Sequence, residues 1–125
     1  MGTFLRRRRS LGIVVGSFAF VGALWAVTTA REQGKVVEVS VDGDGYAFAP
    51  GRIEVQKDDL VKITFHAKDI AHSFTVDAYR IAKRAAAGQT VVFEFRADQP
   101  GTFPYYCNLT QDVKCRQMKG EIVVR

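Results

Sequence analysis

The sequence of 125 residues has no Gly-rich phosphate loop, no Ser-His-Asp order and no internal repeat. These absences argue against a phosphate-loop NTPase, a triad hydrolase and a repeat protein. No general acid–base pair or arranged nucleophile is evident either. We therefore expect that the isolated chain is not an enzyme and has no small-molecule substrate.

Outside the arginine run 6–9, basic and acidic residues are nearly equal in number. Four of the 18 Lys and Arg residues form the run 6–9, which leaves 14 basic against 13 acidic residues. Binding to nucleic acid would need a basic patch on the folded domain. The near balance therefore predicts no nucleic-acid partner.

Charged side chains are absent from residues 11–30, an apolar run long enough to cross a bilayer as a helix. The basic tail 1–10 precedes it, and the positive-inside rule places that tail in the cytoplasm. We therefore expect a transmembrane anchor at 11–30, a linker at 31–35 and an extracytoplasmic domain at 36–125, either periplasmic or on the cell surface. A cleaved secretory signal or a twin-arginine signal is the alternative.

Helical periodicity is nearly absent after residue 36, where apolar residues alternate with polar ones. Val61, Ile63 and Phe65 fall on one side of a predicted strand, and similar short runs recur with turns between them. Strands are predicted at 36–41, 52–56, 60–66, 72–77, 79–84, 90–96, 102–107 and 120–125. This spacing is typical of an antiparallel sandwich or barrel.

Soft metal donors are few, but they lie at strand ends or in one loop: His72, Cys107, Cys115 and Met118. Cys107 ends a predicted strand, and the segment 108–119 joins it to the next strand. Thiolate, imidazole and thioether groups together suit copper. A disulfide between the two cysteines is the alternative, since exported domains with an even cysteine count usually pair them.

The segments "DIAHSF" (69–74), "GQTVVFEFRADQPGTFPYYC" (88–107) and "MKGEIVV" (118–124) resemble the cupredoxin family. The likeness is greatest to the copper-binding domain of cytochrome oxidase subunit II and nitrous oxide reductase. It implies an all-β, Greek-key β-sandwich with a copper ligand loop. By this resemblance His72 corresponds to the upstream histidine ligand, Cys107 to the first cysteine and Met118 to the methionine.

Two positions depart from the family pattern. Gln111 stands where a second bridging cysteine would be, and Cys115 stands where the downstream histidine would be. A two-copper centre is therefore not expected, and neither is the trigonal His₂Cys set of blue copper proteins. The expectation is one copper ion at His72, Cys107, Cys115 and Met118, in a site that favours Cu(I). His66, the other histidine, is not expected to be a ligand.

Three functions follow from this site. The first is a membrane-anchored one-electron carrier in a respiratory or redox chain, with a redox protein as partner. The second is a Cu(I) chaperone or copper-handling protein, with a copper-accepting protein as partner. The third is a metal-free sandwich stapled by Cys107–Cys115.

Overall fold

The computed structural model describes residues 34–125 and three isolated glycines, Gly12, Gly16 and Gly22. The predicted basic tail and almost all of the apolar segment 11–30 lie outside the described residues, as does most of the linker 31–35. Within the described part of the chain, no helix is long and apolar enough to span a membrane. The anchor at 11–30 stays a prediction.

Nine strands make up the described domain: β1 Val36–Asp44, β2 Ala47–Ala49, β3 Arg52–Val55, β4 Leu60–Ala67, β5 His72–Val76, β6 Ile81–Ala85, β7 Thr90–Arg96, β8 Gly101–Tyr106 and β9 Lys119–Val124. Single 3₁₀ turns at Asp77–Tyr79 and Cys115–Gln117 are the only helical elements within residues 34–125. The predicted all-β sandwich is confirmed for this part of the chain. The short strand β2 was not predicted.

Two sheets face each other, with strand orders β2-β1-β4-β7 and β3-β9-β8-β5-β6. Among residues 34–125, five of the seven strand pairings are antiparallel, as expected, and two are not. β1 pairs with β4 in parallel, and β3 pairs with β9 in parallel. Both parallel pairings join strands that are distant in sequence, so the alternation within each strand did not reveal them.

Alternation along β4 places Val61, Ile63 and Phe65 in the core, each with no exposed surface. On β8, Tyr105 points inward and is fully buried, whereas the next residue, Tyr106, is half-buried and its hydroxyl donates to Asp77. Both orientations agree with the period of two expected for strands.

Aromatic rings fill the space between the sheets. Phe74 of β5 stacks on Tyr105 of β8 with ring centroids 4.5 Å apart, and Phe48 of β2 meets Tyr105 edge-on at 5.0 Å. Gly120 of β9 lies opposite Tyr105, where any side chain would collide with the phenol ring. This packing fixes β5, β8 and β9, the strands that flank the candidate site.

Candidate metal centre

Three chain segments converge at one end of the sandwich. His72 begins β5, Cys107 follows the last residue of β8, and Cys115 begins the second 3₁₀ turn. The backbone N–H of Cys107 donates to the Met118 carbonyl at 3.4 Å, and that of Met118 donates to the Cys115 carbonyl at 3.0 Å. The strand ends and the loop between β8 and β9 are therefore held together by backbone hydrogen bonds.

Of the predicted donors, the structure brings the imidazole of His72 together with the two cysteines. One nitrogen of His72 and the sulfurs of Cys107 and Cys115 all lie within 4.8 Å of one another. His72 and Cys107 are fully buried, and Cys115 and Met118 are each 1% exposed. Their role as metal ligands stays a prediction, but the arrangement satisfies the proximity that a shared ion requires.

Cys107 and Cys115 form a disulfide in this structure, and the described residues include no free cysteine. Their Cα atoms are 5.3 Å apart, a separation normal for disulfides. A disulfide sulfur carries no thiolate charge, so metal binding through these side chains requires the reduced pair. The same geometry thus allows a disulfide when the two cysteines are oxidised and two adjacent thiols when they are reduced.

His72 is oriented by Asp69, three residues earlier. Nε2 of the ring lies 2.6 Å from Oδ1 of Asp69, while the other oxygen, Oδ2, accepts the backbone N–H of Gly45 at 3.0 Å. The hydrogen bond from the Ile70 backbone, helped by those from His72 and Gly45, lowers the pKa of the Asp69 carboxyl to about 2. The group is therefore an ionised acceptor near neutral pH, and Nε2 must be the donor.

This hydrogen bond leaves the other ring nitrogen without a partner. Nδ1 of His72 is buried and has no hydrogen-bond partner within residues 34–125. Buried polar atoms are nearly always paired, and an exception calls for an explanation such as a bound ion. In the neutral ring, Nδ1 carries a lone pair, and a ring nitrogen lies within 4.8 Å of two sulfur atoms, so the residues present fit a soft metal ion.

The Cys107 sulfur accepts a hydrogen bond from the backbone. The N–H of Ser73 donates to Sγ at 3.3 Å. The Ser73 hydroxyl donates to Oδ1 of Asn108 at 2.7 Å and accepts the Asn108 backbone N–H at 2.7 Å. A donor aimed at sulfur stabilises a thiolate, and the Ser73–Asn108 pair holds that donor in place.

Gly43 of β1 forms the wall behind the His72 ring. A Cβ at this position would lie 3.1 Å from Cδ2 of His72 and 3.2 Å from the ring of Phe65. Phe65 is fully buried and cannot withdraw to solvent. The glycine therefore leaves just enough room for the imidazole in its observed place.

The turn between β1 and β2 contacts the site from outside. Tyr46 meets the His72 ring edge-on with centroids 6.2 Å apart, and its hydroxyl donates to Oδ2 of Asp112 at 2.8 Å. This hydrogen bond raises the pKa of Tyr46 and lowers that of Asp112. Neither residue was predicted to take part, because the partners are separated by 66 positions in the chain.

Two residues discussed from the sequence stand apart from the cluster. His66 lies on the outer face of β4, half-buried, with Nδ1 2.7 Å from Oγ1 of Thr90. Gln111, at the family position of a second cysteine, is exposed and borders a groove of about 470 Å³. Neither belongs to the donor group of His72, Cys107 and Cys115.

The family model described as a cupredoxin-like domain matches residues 16–124. Among solved structures, a haem-copper terminal oxidase is similar with a TM-score of 0.63 at 20% identity, covering 73% of this chain and 65% of that one. The metal-binding domain of the Cu(I)-exporting P-type ATPase CopA of Streptococcus pneumoniae D39 has a TM-score of 0.62 at 19% identity, covering 77% of this chain and 91% of that domain. Auracyanin A, a "blue" copper protein of Chloroflexus aurantiacus, has a TM-score of 0.58 at 19% identity, covering 72% of this chain and 99% of that one.

Proposed function

Since the chain belongs to the family of cupredoxin-like domains, we propose that it binds one copper ion and carries single electrons between redox proteins. The proposed ligands are His72, Cys107, Cys115 and Met118, with the cysteines reduced. A bound copper ion would supply reversible exchange of one electron between Cu(I) and Cu(II). The chain acts in this proposal as a carrier and not as an enzyme.

The unpartnered Nδ1 of His72 is the observation that carries the proposal. It is buried, Asp69 holds the other ring nitrogen, and one nitrogen of the ring lies within 4.8 Å of both cysteine sulfurs. An ordinary core histidine would pair both nitrogens. A metal ion would take the place of the missing partner.

The donor set supports one ion that is held more firmly as Cu(I). Two thiolates and a thioether are soft ligands, which favour the cuprous state, and imidazole binds either oxidation state. The hydrogen bond from Ser73 N–H to Cys107 Sγ helps one thiolate keep its charge. Gln111, in place of a second bridging cysteine, supports one ion over two.

Burial of the ligands favours electron carriage over delivery of the ion. The four side chains have between 0 and 1% of their surface exposed. Delivery by ligand exchange would require a partner's ligand to reach the ion, whereas an electron needs only a short distance to the surface. The strands around the site also restrain its rearrangement between oxidation states.

Cu(I) handling is the second candidate, and one observation favours it. Cys115 supplies a sulfur where the resemblance places a histidine, and this extra soft ligand favours Cu(I) over Cu(II). The fold likeness to the metal-binding domain of a Cu(I)-exporting ATPase is consistent with this role. The partner would then be a copper-accepting protein.

The proposed location rests on the sequence. The uncharged run 11–30 after four consecutive arginines supports a single-pass membrane anchor with the copper domain outside the cytoplasm. Such a tether would keep the carrier close to membrane-bound redox partners.

Copper titration of the full chain tests the proposal. The protein is purified in mild detergent, reduced without oxygen, and titrated with Cu(I) against a chromophoric chelator, then oxidised while visible and EPR spectra are recorded. One copper per chain, with a sulfur-to-copper absorption that bleaches reversibly on reduction, supports electron carriage. One firmly bound Cu(I) without a stable coloured Cu(II) form favours copper handling instead.

Two histidine variants provide the matched comparison. H72A removes the nitrogen beside the sulfurs, and H66A removes the imidazole on the outer face of β4. We expect H72A to lose copper binding and H66A to retain it. If the reduced wild-type chain binds no copper, Cys107 and Cys115 form only a structural disulfide and the proposal is wrong.

A further inference from the structure

We infer that Tyr46 is a positioning residue that ties the two ligand-bearing segments to one turn and so sets the place of Cys115 relative to His72. The inference rests on the proposed copper site, and it assigns a role to a residue that binds no metal itself. Three contacts from the turn between β1 and β2 carry it.

The first two contacts reach the segment that bears His72. The Gly45 backbone N–H donates to Oδ2 of Asp69, whose other oxygen holds Nε2 of His72. The ring of Tyr46 stands edge-on against the His72 ring, at an interplanar angle of 85°. The turn thus restrains the imidazole through a hydrogen bond and through direct ring contact.

The third contact reaches the loop that bears Cys115. The Tyr46 hydroxyl donates to Oδ2 of Asp112 at 2.8 Å. Asp112 in turn organises the approach to the cysteine, because its Oδ1 accepts the Lys114 backbone N–H at 3.0 Å and its carbonyl accepts that of Cys115 at 3.2 Å. A displacement of Asp112 would therefore be passed to Cys115 through these two hydrogen bonds.

The backbone of the turn keeps the tyrosine in this place. Gly45 and Tyr46 both have a φ of 59°, in the left-handed region that non-glycine residues rarely adopt. Two such residues in succession are typical of a tight hairpin turn, here between the antiparallel strands β1 and β2. Lys114 lies over the Tyr46 ring at 5.5 Å and adds a second contact from the same loop.

Removal of the hydroxyl in Y46F is the test, and Y79F is its matched control. Tyr79 is also partly buried and donates one hydrogen bond, to the Gln99 carbonyl at 3.1 Å, away from the donor cluster. Two quantities are measured on the full chain: Cu(I) affinity, and the equilibrium between dithiol and disulfide in metal-free protein in glutathione buffers. The second quantity reports the proximity of the two cysteines without any metal.

We expect Y46F to lower Cu(I) affinity and to shift the metal-free equilibrium toward the dithiol, each by roughly two- to tenfold, as for loss of one hydrogen bond. Y79F changes neither. D112A has at least the effect of Y46F, and adding Y46F to D112A has little further effect, because the hydroxyl then has no acceptor.

The inference is overturned if Y46F matches Y79F in both measurements. It is also overturned if the fold-changes caused by Y46F and D112A multiply in the double variant. The proposed function fails separately when the reduced wild type binds no copper. In that case a shift of the dithiol–disulfide equilibrium in Y46F, and not in Y79F, would still show that the Tyr46 hydroxyl sets the place of Cys115.

Discussion

Nε2 of His72 lies 2.6 Å from Oδ1 of Asp69, and this contact leaves Nδ1 as the ring nitrogen without a hydrogen-bond partner among residues 34–125. An ionised carboxylate only accepts hydrogen bonds, so the ring proton sits on Nε2 and the lone pair on Nδ1. The sequence places the two residues three positions apart, with Asp69 in the turn before β5 and His72 as its first residue. The proposed ligand and the group that orients it are therefore supplied by the same short segment.

D69N is expected to lower Cu(I) affinity about tenfold, a typical loss when a group that orients a ligand is changed. The amide has one acceptor oxygen where the carboxylate has two, so either His72 or Gly45 loses its partner. ¹⁵N NMR of the imidazole reports the tautomer and chelator competition reports affinity. D77N is the control. Within residues 34–125, the Asp77 carboxylate accepts a side-chain hydrogen bond only from the Tyr106 hydroxyl, which is not part of the donor cluster. Equal Cu(I) affinities in D69N and D77N would contradict the role of Asp69.

G43A is expected to destabilise the metal-free domain by about 1–3 kcal/mol, because the new methyl group overpacks the space between His72 and Phe65. G51A is the matched control, since a Cβ there meets only the Phe48 carbonyl oxygen, at 3.7 Å. Chemical denaturation measures both, and G51A should stay within about 0.5 kcal/mol of wild type. Equal stabilities would show that the His72 ring has room to move.

M118L tests the thioether. The side chains are similar in volume, so unfolding free energy should change by less than about 1.5 kcal/mol. If the Met118 sulfur binds copper, the variant has lower Cu(I) affinity and a shifted copper potential. An unchanged affinity and potential would remove Met118 from the proposed ligands and leave three.

Alkaline titration is expected to show that Tyr105 ionises well above the usual pH range of a tyrosine. Burial, followed by the nearby Glu121 charge, raises the pKa of Tyr105 from 10.0 to about 12. The neutral phenol is favoured in the folded state, so its contribution to stability is complete below about pH 10 and is lost as pH rises through about 12. Absorbance at the phenolate band follows the ionisation, and Y105F should lack the late step while Y79F keeps it.

Much of the fold follows from alternation along single strands. The pattern 60–66 identified the buried face of β4, where Val61, Ile63 and Phe65 lie, as found. The parallel pairing of β1 with β4 was not predicted, because it depends on partners outside the local pattern. Strand β2 has only three residues, too few for a periodic signal.

The candidate site was predictable only in part. His72, Cys107 and Cys115 were identified by residue type and by likeness to a family, and the structure places them together. Tyr46 and Asp112 carry no such signal, since a tyrosine and an aspartate far apart in sequence are ordinary surface residues until folding joins them. Whether the cysteines are ligands or a disulfide depends on their oxidation, which residue types do not determine.

The position of β9 has a consequence for biosynthesis. It lies between β3 and β8, although it follows all other described strands in the chain, and β3 pairs with no other strand of residues 34–125. Glu121 is made 69 residues after its partner Arg52, a delay of roughly 3–14 s at typical rates of translation. During that interval the nascent chain has an open sheet edge, and Cys115 itself is made only 6 residues before Glu121. The loop that bears Cys115 is therefore closed only once β9, which ends at Val124, has been made and paired.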